Sequence, residues 1–242
     1  MRKNSLGLHG ASCIAAIIIK NHSIDTLILN DNDVGKDGGD CIGIALSQNM
    51  TLKNLTVAEN ELRTEGAISI LENAVNLETL DLSKNYIAHE AGQYVEHLLK
   101  NSTTIREIKI EYNELLIQGV ESVARGLKVS TSLSVLNLQG NILGDDGIMF
   151  LVASLYGNNT LSKFNIALNE IGPLGASSVA QVLPHTAIKH LNISKNFLGD
   201  EALKIFADIL ITNQGNPCKL KYLNLSSCRL NDKGVRYFFR AM

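Results

Sequence analysis

Residues Leu133 to Thr160 read LSVLNLQGNILGDDGIMFLVASLYGNNT, and the rest of the chain repeats their plan. A short alternating apolar run (Leu133, Leu136, Leu138) turns at Asn141, continues through Leu143 and Gly147, and ends with Leu151 and Leu155 four residues apart. Period-two alternation followed by four-residue spacing predicts a short strand and then a helix within one unit.

Seven other stretches share the register. The first apolar position falls at Ile24, Leu52, Leu77, Ile105, Leu133, Leu161, Ile188 and Leu220, at intervals of 28, 25, 28, 28, 28, 27 and 32 residues. Paired strand positions follow, from Leu27/Leu29 to Leu223/Leu225. Three residues past each pair stands Asn32, Asn60, Asn85, Asn113, Asn141, Asn169 or Asn196, and then Cys228 in the last unit. A small residue is expected to open each helix, at Gly38, Gly66, Ala91, Gly119, Gly147, Gly175, Ala202 and Gly234.

The pattern LxxLxLxxNxL followed by a helix resembles the leucine-rich repeats, and the period of about 28 residues is similar to the ribonuclease-inhibitor-like subclass. The resemblance implies a right-handed α/β solenoid, a horseshoe with parallel strands on the concave side and helices on the convex side. It covers residues 1–242 as a single domain. Residues 1–23 form a partial N-terminal repeat without its strand, since Asn4, Leu6 and Gly10 fall on the turn, loop and helix-start positions, and 24–242 form eight repeats. One unit cannot bury its own apolar face, so stability must come from stacking. Strands pack about 4.8 Å apart and helices about 8–10 Å apart, so the stack must bend. Eight strands give a concave arc of roughly 34 Å, wide enough to cradle a small protein.

The 25-residue second unit predicts a shortened helix, and Asn213 to Lys219 predict a loop bulging before the last strand. With no strand in the first partial repeat, the expectation is that residues before Met1 continued the array or that the chain is a segment of a longer protein; the alternative is that the strand at Ile24–Leu29 is an open edge. A monomer is expected unless that edge pairs with another chain.

Composition narrows the function. The net charge of −2 lacks the dominant basic surface of a nucleic-acid binder. No apolar run reaches the roughly 20 residues of a membrane span. Arg2 and Lys3 before Ala11–Ile19 mimic a signal peptide, but the stretch is short and fits the repeat as a helix. Cys13, Cys41, Cys218 and Cys228 form no CxxC pair and read as reduced structural thiols, which implies a cytoplasmic setting. The six histidines show no metal-ligand spacing, and neither GxGxxG nor a P-loop is present. No cofactor, metal or catalytic residue is expected. The triplets at Asn54, Asn192 and Asn224 match the glycosylation sequon but lie on strands, where the repeat itself favours those letters.

Inward strand positions belong to the core, so outward ones carry the partner information. In the first four units ten acids (Asp25, Asp31, Asp33, Glu59, Glu61, Glu78, Asp81, Glu107, Glu111 and Glu114) outnumber Lys53, Lys84, Arg106 and Lys109. In the last four, Lys163, Lys189, Lys195, Lys221 and Arg229 face Glu170 alone. Between the poles, Ser134 to Ile142 carry no charge, which puts Asn137 and Gln139 at a seam. Tyr86, Tyr112, Phe197 and Tyr222, with His190, add aromatic contact residues. Asn137, Asn165, Asn192 and Asn224 occupy the position between the paired residues in the last four units, where amides can hydrogen-bond along a ladder.

The expected function is a non-enzymatic module binding a partner protein on the concave face through Asp81, Tyr86, Lys109, Glu111, Tyr112, Asn137, Gln139, Lys163, Lys189, His190, Lys195, Phe197, Lys221 and Tyr222. The resemblance also implies two alternatives. One is a GTPase activator acting on a small GTPase, although the long acidic tail of the Ran-GTPase-activating members has no counterpart here. The other is a sensor or linker segment of a larger protein. Cytoskeletal and ciliary surroundings are among those the family implies.

Overall fold

The computed structural model describes residues 1–211 and 218–241. Within them, helix α1 (Gly7–Lys20) precedes eight strand–helix units. The strands are β1 (Thr26–Ile28), β2 (Asn54–Thr56), β3 (Thr79–Asp81), β4 (Glu107–Lys109), β5 (Val135–Asn137), β6 (Lys163–Asn165), β7 (His190–Asn192) and β8 (Tyr222–Asn224). The helices between and after them are α2 (Gly35–Leu46), α3 (Arg63–Asn73), α4 (Gly92–Asn101), α5 (Leu116–Val129), α6 (Gly144–Leu155), α7 (Pro173–Val182), α8 (Gly199–Ile211) and α9 (Asp232–Ala241). All eight strands form one parallel sheet in chain order. Register never slips, so Leu27, Leu55, Leu80, Ile108, Leu136, Phe164, Leu191 and Leu223 stand side by side. The central residue of each strand points into one continuous apolar core with the helices. Its two flanking residues point to the opposite, strand-side surface. This is the expected α/β solenoid.

The turn asparagines bind the rungs together. Asn85 is fully buried. Its Nδ2 donates to the carbonyls of Leu82 and Ser83 in its own unit and of Val57 in the preceding one, at 2.9–3.1 Å. Its Oδ1 accepts from the preceding unit's backbone N–H groups of Asn60 and Leu62, at 2.9 and 3.3 Å. Asn60, Asn113, Asn141, Asn169 and Asn196 repeat this bridging. Each Asn therefore satisfies backbone groups of two rungs where the strand ladder ends. Cys228 keeps a reduced version, donating its thiol to Ile193 and Ser226 carbonyls at 3.4 and 3.5 Å.

These turns also demand unusual backbone. In six units both residues flanking the turn position have positive φ, as at Glu59 and Glu61 (58° and 53°) or Lys84 and Tyr86 (56° each). A side-chain-bearing residue in that region costs roughly 1–2 kcal/mol, and the buried Asn bonds hold it there.

Three expectations need correction. The small residues do not open the helices. Gly38, Gly66, Gly119, Gly147, Gly175 and Gly234 lie inside the first turn, as the third or fourth residue of their helices. Their role is close approach: a Cβ on Gly66 would come within 2.7 Å of the Lys36 carbonyl in the preceding helix. Gly43 and Gly92 are tighter still, with a Cβ meeting Ser69 and Gly119 backbone at 2.4 and 2.3 Å.

The 25-residue unit shortens its helix only in part. α3 has 11 residues, against 12 in α2 and α6 and 14 in α5, while α4 has 10. Relative to α2 and α6 the return link is also shorter, reduced to the 3-10 turn Ala74–Asn76 before Leu77.

The first strand, finally, is only partly an open edge. The Met1 N-terminus, Lys3 N and Gly7 N donate to Ile28, Asn30 and Asn32 carbonyls at 2.7, 3.2 and 3.0 Å. Residues 1–7 thus supply the end of a preceding rung and cover β1 from Ile28 onward. Ile24, expected in the core, is 42% exposed, since residues 1–7 cover only the far end of β1. Of the expected loop, Asn213 to Pro217 lie outside the described residues, as does Met242.

Replacing Asn85 by alanine orphans several buried backbone groups, each worth about 1–3 kcal/mol. A urea titration followed by circular dichroism should show a loss of at least about 3 kcal/mol. Cys228→Asn restores the stronger donor–acceptor pair and should raise stability by about 1 kcal/mol in the same titration.

Candidate functional site on the strand face

The outward strand positions form bands across the sheet. At the strand starts Glu107, Val135, Lys163, His190 and Tyr222 are register neighbours, and at the strand ends so are Asp81, Lys109, Asn137, Asn165, Asn192 and Asn224. Lys189 and Lys221 immediately precede their strands. Tyr86, Tyr112, Lys195 and Phe197 sit beyond the strand ends, beside the turn asparagines. The charged strip read from the sequence is therefore two bands, with the outward amides between them.

In the acidic half the bases are committed. Lys109 pairs with Glu107 at 2.7 Å and Lys84 with Glu59 at 2.9 Å. Lys53 Nζ donates to Met50 and Asn76 carbonyls, and Arg106 Nη1 to that of Ser132. Burial works to lower the Lys109 ammonium pKa, but the bond to Glu107 and nearby carboxylates outweigh it, so the net shift is upward. For Glu111, burial and then the Asp81 carboxylate raise the pKa, while Lys109 and Lys84 pull the other way without cancelling them. Beside these groups a hollow of about 100 Å³ is lined by Thr56, Thr79, Leu80, Asp81, Glu107 and Lys109. Thr56 Oγ1 is buried there with no hydrogen-bond partner among the described residues.

The seam is a closed network. Asn137 Nδ2 donates to Glu111 at 2.6 Å, Gln139 Nε2 bonds Tyr112 Oη, and Asn165 Nδ2 donates to Gln139 Oε1 at 3.1 Å. The expected amide-to-amide ladder along the strands does not form. Each outward amide instead turns its Oδ1 to the backbone N–H two residues ahead, at Gln139, Ala167, Ser194 and Ser226. Asp81 caps Ser83 in the same way. This local two-residue bond outcompetes a cross-strand one.

The basic half is open. Lys163, Lys189, Lys195 and Lys221 are exposed and form no ion pair among the described residues. His190 and Tyr222 rings lie 6.0 Å apart. The aromatics beside the turns are backed by cations one rung away: Arg63 by Tyr86 at 4.9 Å, Lys84 by Tyr112 at 5.9 Å and Arg229 by Phe197 at 4.0 Å. Arg63 was not among the sequence candidates. Its signal is positional, three residues past Asn60 and one rung before Tyr86. All four aromatics remain accessible, with Tyr86 and Tyr222 more than half exposed.

Elsewhere, no group of three His, Cys, Asp or Glu side chains among the described residues could hold a metal ion. No helix among them is long and apolar enough to cross a membrane.

Comparison with known proteins agrees with this geometry. The leucine-rich repeat family model matches residues 20–43, 48–71, 129–152, 157–180 and 216–239. The chain is a leucine-rich repeat protein, and the ribonuclease-inhibitor-like subclass is compatible with the match. No curated protein matches. Among solved structures, the complex of Rad7 and Elc1 in yeast contains a similar chain, with 16% identity and a TM-score of 0.57 over 98% of this chain. This protein spans 64% of that chain's length. The actin-binding site 2 of leiomodin-1 aligns at 16% identity and a TM-score of 0.42, over 61% of this chain and 73% of that one. The tropomodulin C-terminal domain from Caenorhabditis elegans aligns at 12% and 0.44, over 82% and 89%. At these identities the likeness speaks to fold alone.

Because the folded state raises the Glu111 pKa, it binds that proton more tightly than the unfolded chain does. The proton-linked stabilisation is present at low pH and is lost as pH rises from 4.5 through the raised value. Glu111→Gln, which keeps an acceptor for Asn137, should raise the melting temperature at neutral pH. That gain should shrink below the ordinary carboxylate range in melts recorded as a pH series.

Proposed function

We propose that this protein is a non-enzymatic interaction module whose strand face binds a partner protein. Leucine-rich repeats and the solenoid fold support an interaction module in general. The observation that carries the strand-face reading is the unequal internal pairing of its charges. The acidic half spends its bases internally and keeps net negative charge, whereas the basic half leaves its lysines unpaired. Self-contained decoration of a solvated surface does not require that imbalance, but a bipolar partner uses it for orientation and for fast encounter. The accessible Tyr86, Tyr112, Phe197 and Tyr222 supply aromatic contacts of the kind that dominate interfaces. Reduced cysteines would fit a cytoplasmic complex.

Affinity capture from the source cell identifies the partner, and kinetics with the purified pair test the reading. Reversing Lys189, Lys195 and Lys221 together to glutamate should slow association about tenfold at low salt, with the wild-type rate itself falling as salt rises. An unchanged on-rate would sink the electrostatic reading. Tyr112→Ala should weaken binding by about tenfold or more if the ring is an anchor, read as a dissociation constant.

A further inference from the structure

The outward amides of β7 and β8 differ from those of β5 and β6. Asn137 and Asn165 have both ends occupied, since their Nδ2 groups donate to Glu111 and Gln139. Asn192 and Asn224 use only their oxygens. Asn192 Oδ1 accepts from both the N–H and the hydroxyl of Ser194, at 3.2 and 2.7 Å. Asn224 Oδ1 does the same with Ser226, at 3.0 and 2.7 Å. Two bonds to each oxygen fix the amide's orientation and fill its acceptor sites. Each Nδ2 is left without a partner among the described residues. Lys189 and Lys221 stand at the other end of the same two strands, also unpaired.

At their strand ends these two rungs therefore offer amide donors whose own oxygens are already filled, whereas His190 and Tyr222 at the strand starts carry groups that accept as well as donate. We propose that the two rungs bind carboxylates of a short, extended acidic segment of the partner protein. The inference rests on the strand-face reading and specifies the chemistry of one end of it. Spacing agrees. Neighbouring rungs stand about 4.8 Å apart, close to the separation at which two amide donors can each reach one oxygen of a single carboxylate. Lysine ammonium groups then meet a second acid. A nucleic-acid backbone carries the same sign of charge but fits poorly, because the donor band ends within about three rungs and an acidic pole follows on the same face.

The fold itself provides a conservative variant. Asp81 at the equivalent position of β3 caps Ser83 through Oδ1 at 3.0 Å. Asn192→Asp with Asn224→Asp should thus preserve both turns while exchanging the free donors for carboxylates. The experiment titrates a fluorescein-labelled Glu-rich peptide into the full chain, beside a Lys-rich peptide and a single-stranded oligonucleotide of matched charge. The Glu-rich peptide should bind best, and N192D/N224D should weaken it by about tenfold or more, with an unchanged thermal melt. Lys189→Glu with Lys221→Glu should do likewise. Tighter binding of the oligonucleotide, or peptide affinity indifferent to N192D/N224D, overturns the proposal. If the acidic peptide fails while capture of the natural partner still depends on Asp81 and Tyr112, this inference falls and the strand-face reading stands. If neither pole's variants affect capture, both fall.

Discussion

Everything in this chain depends on the buried asparagine that joins each rung to its neighbour. A three-residue strand is too short to hold its own turn, and that turn puts two side-chain-bearing residues into left-handed backbone in most units. The asparagine offsets that strain by donating to carbonyls of two units and accepting from backbone N–H groups of the preceding one. Because one side chain bonds both its own turn and the preceding rung, local geometry and stacking are the same interaction. Neither can be lost alone.

That coupling explains what could be read from the letters. Periodic Leu and Asn positions locate strands, core and turns because each repeat faces the same packing problem. Phe164 and Cys228 fit as substitutes at their posts. The charge polarity was legible for a similar reason, since outward positions follow once the register is known. Less accessible were features decided by a neighbour rather than by the residue itself. The small residue near each helix start looked like a start signal, but its size is set by close neighbours, backbone of the preceding unit at Gly66 and Gly119 and side chains at Gly38, Gly147 and Gly234. The outward asparagines looked like a ladder, yet a serine two residues on captures Asn192 and Asn224, while Glu111 and Gln139 capture Asn137 and Asn165. Ile24 carried the pattern of a core residue, and its exposure depends on what stacks before it.

The strand face divides along the same lines. At the seam, Tyr112, Gln139, Asn137, Glu111 and Asn165 satisfy one another and present a finished polar surface. A partner crossing it would displace bonds already made, so net polar gain must come from the flanks. In the acidic half Lys84 and Lys109 pair with Glu59 and Glu107, whereas Lys189 and Lys221 have no acid partner among the described residues. An interface built this way gains orientation from its two ends, and from its middle the exposed ring of Tyr112 rather than the amides.

The close helix approaches have a mechanical corollary. Gly39 and Gly43 of α2 abut Gly66 and Ser69 of α3, and Gly92 of α4 abuts Gly119 of α5, with no side chain between the backbones. Between α3 and α4 the packing is sparser, and a 3-10 turn at His89–Ala91 delays the start of α4. Stiffness is therefore uneven along the arc. The tight backbone contacts of α2 with α3 and of α4 with α5 tie the acidic units into two pairs. Flexing at the α3–α4 junction would therefore change the spacing of the acids within that half and leave the basic rungs unmoved relative to one another.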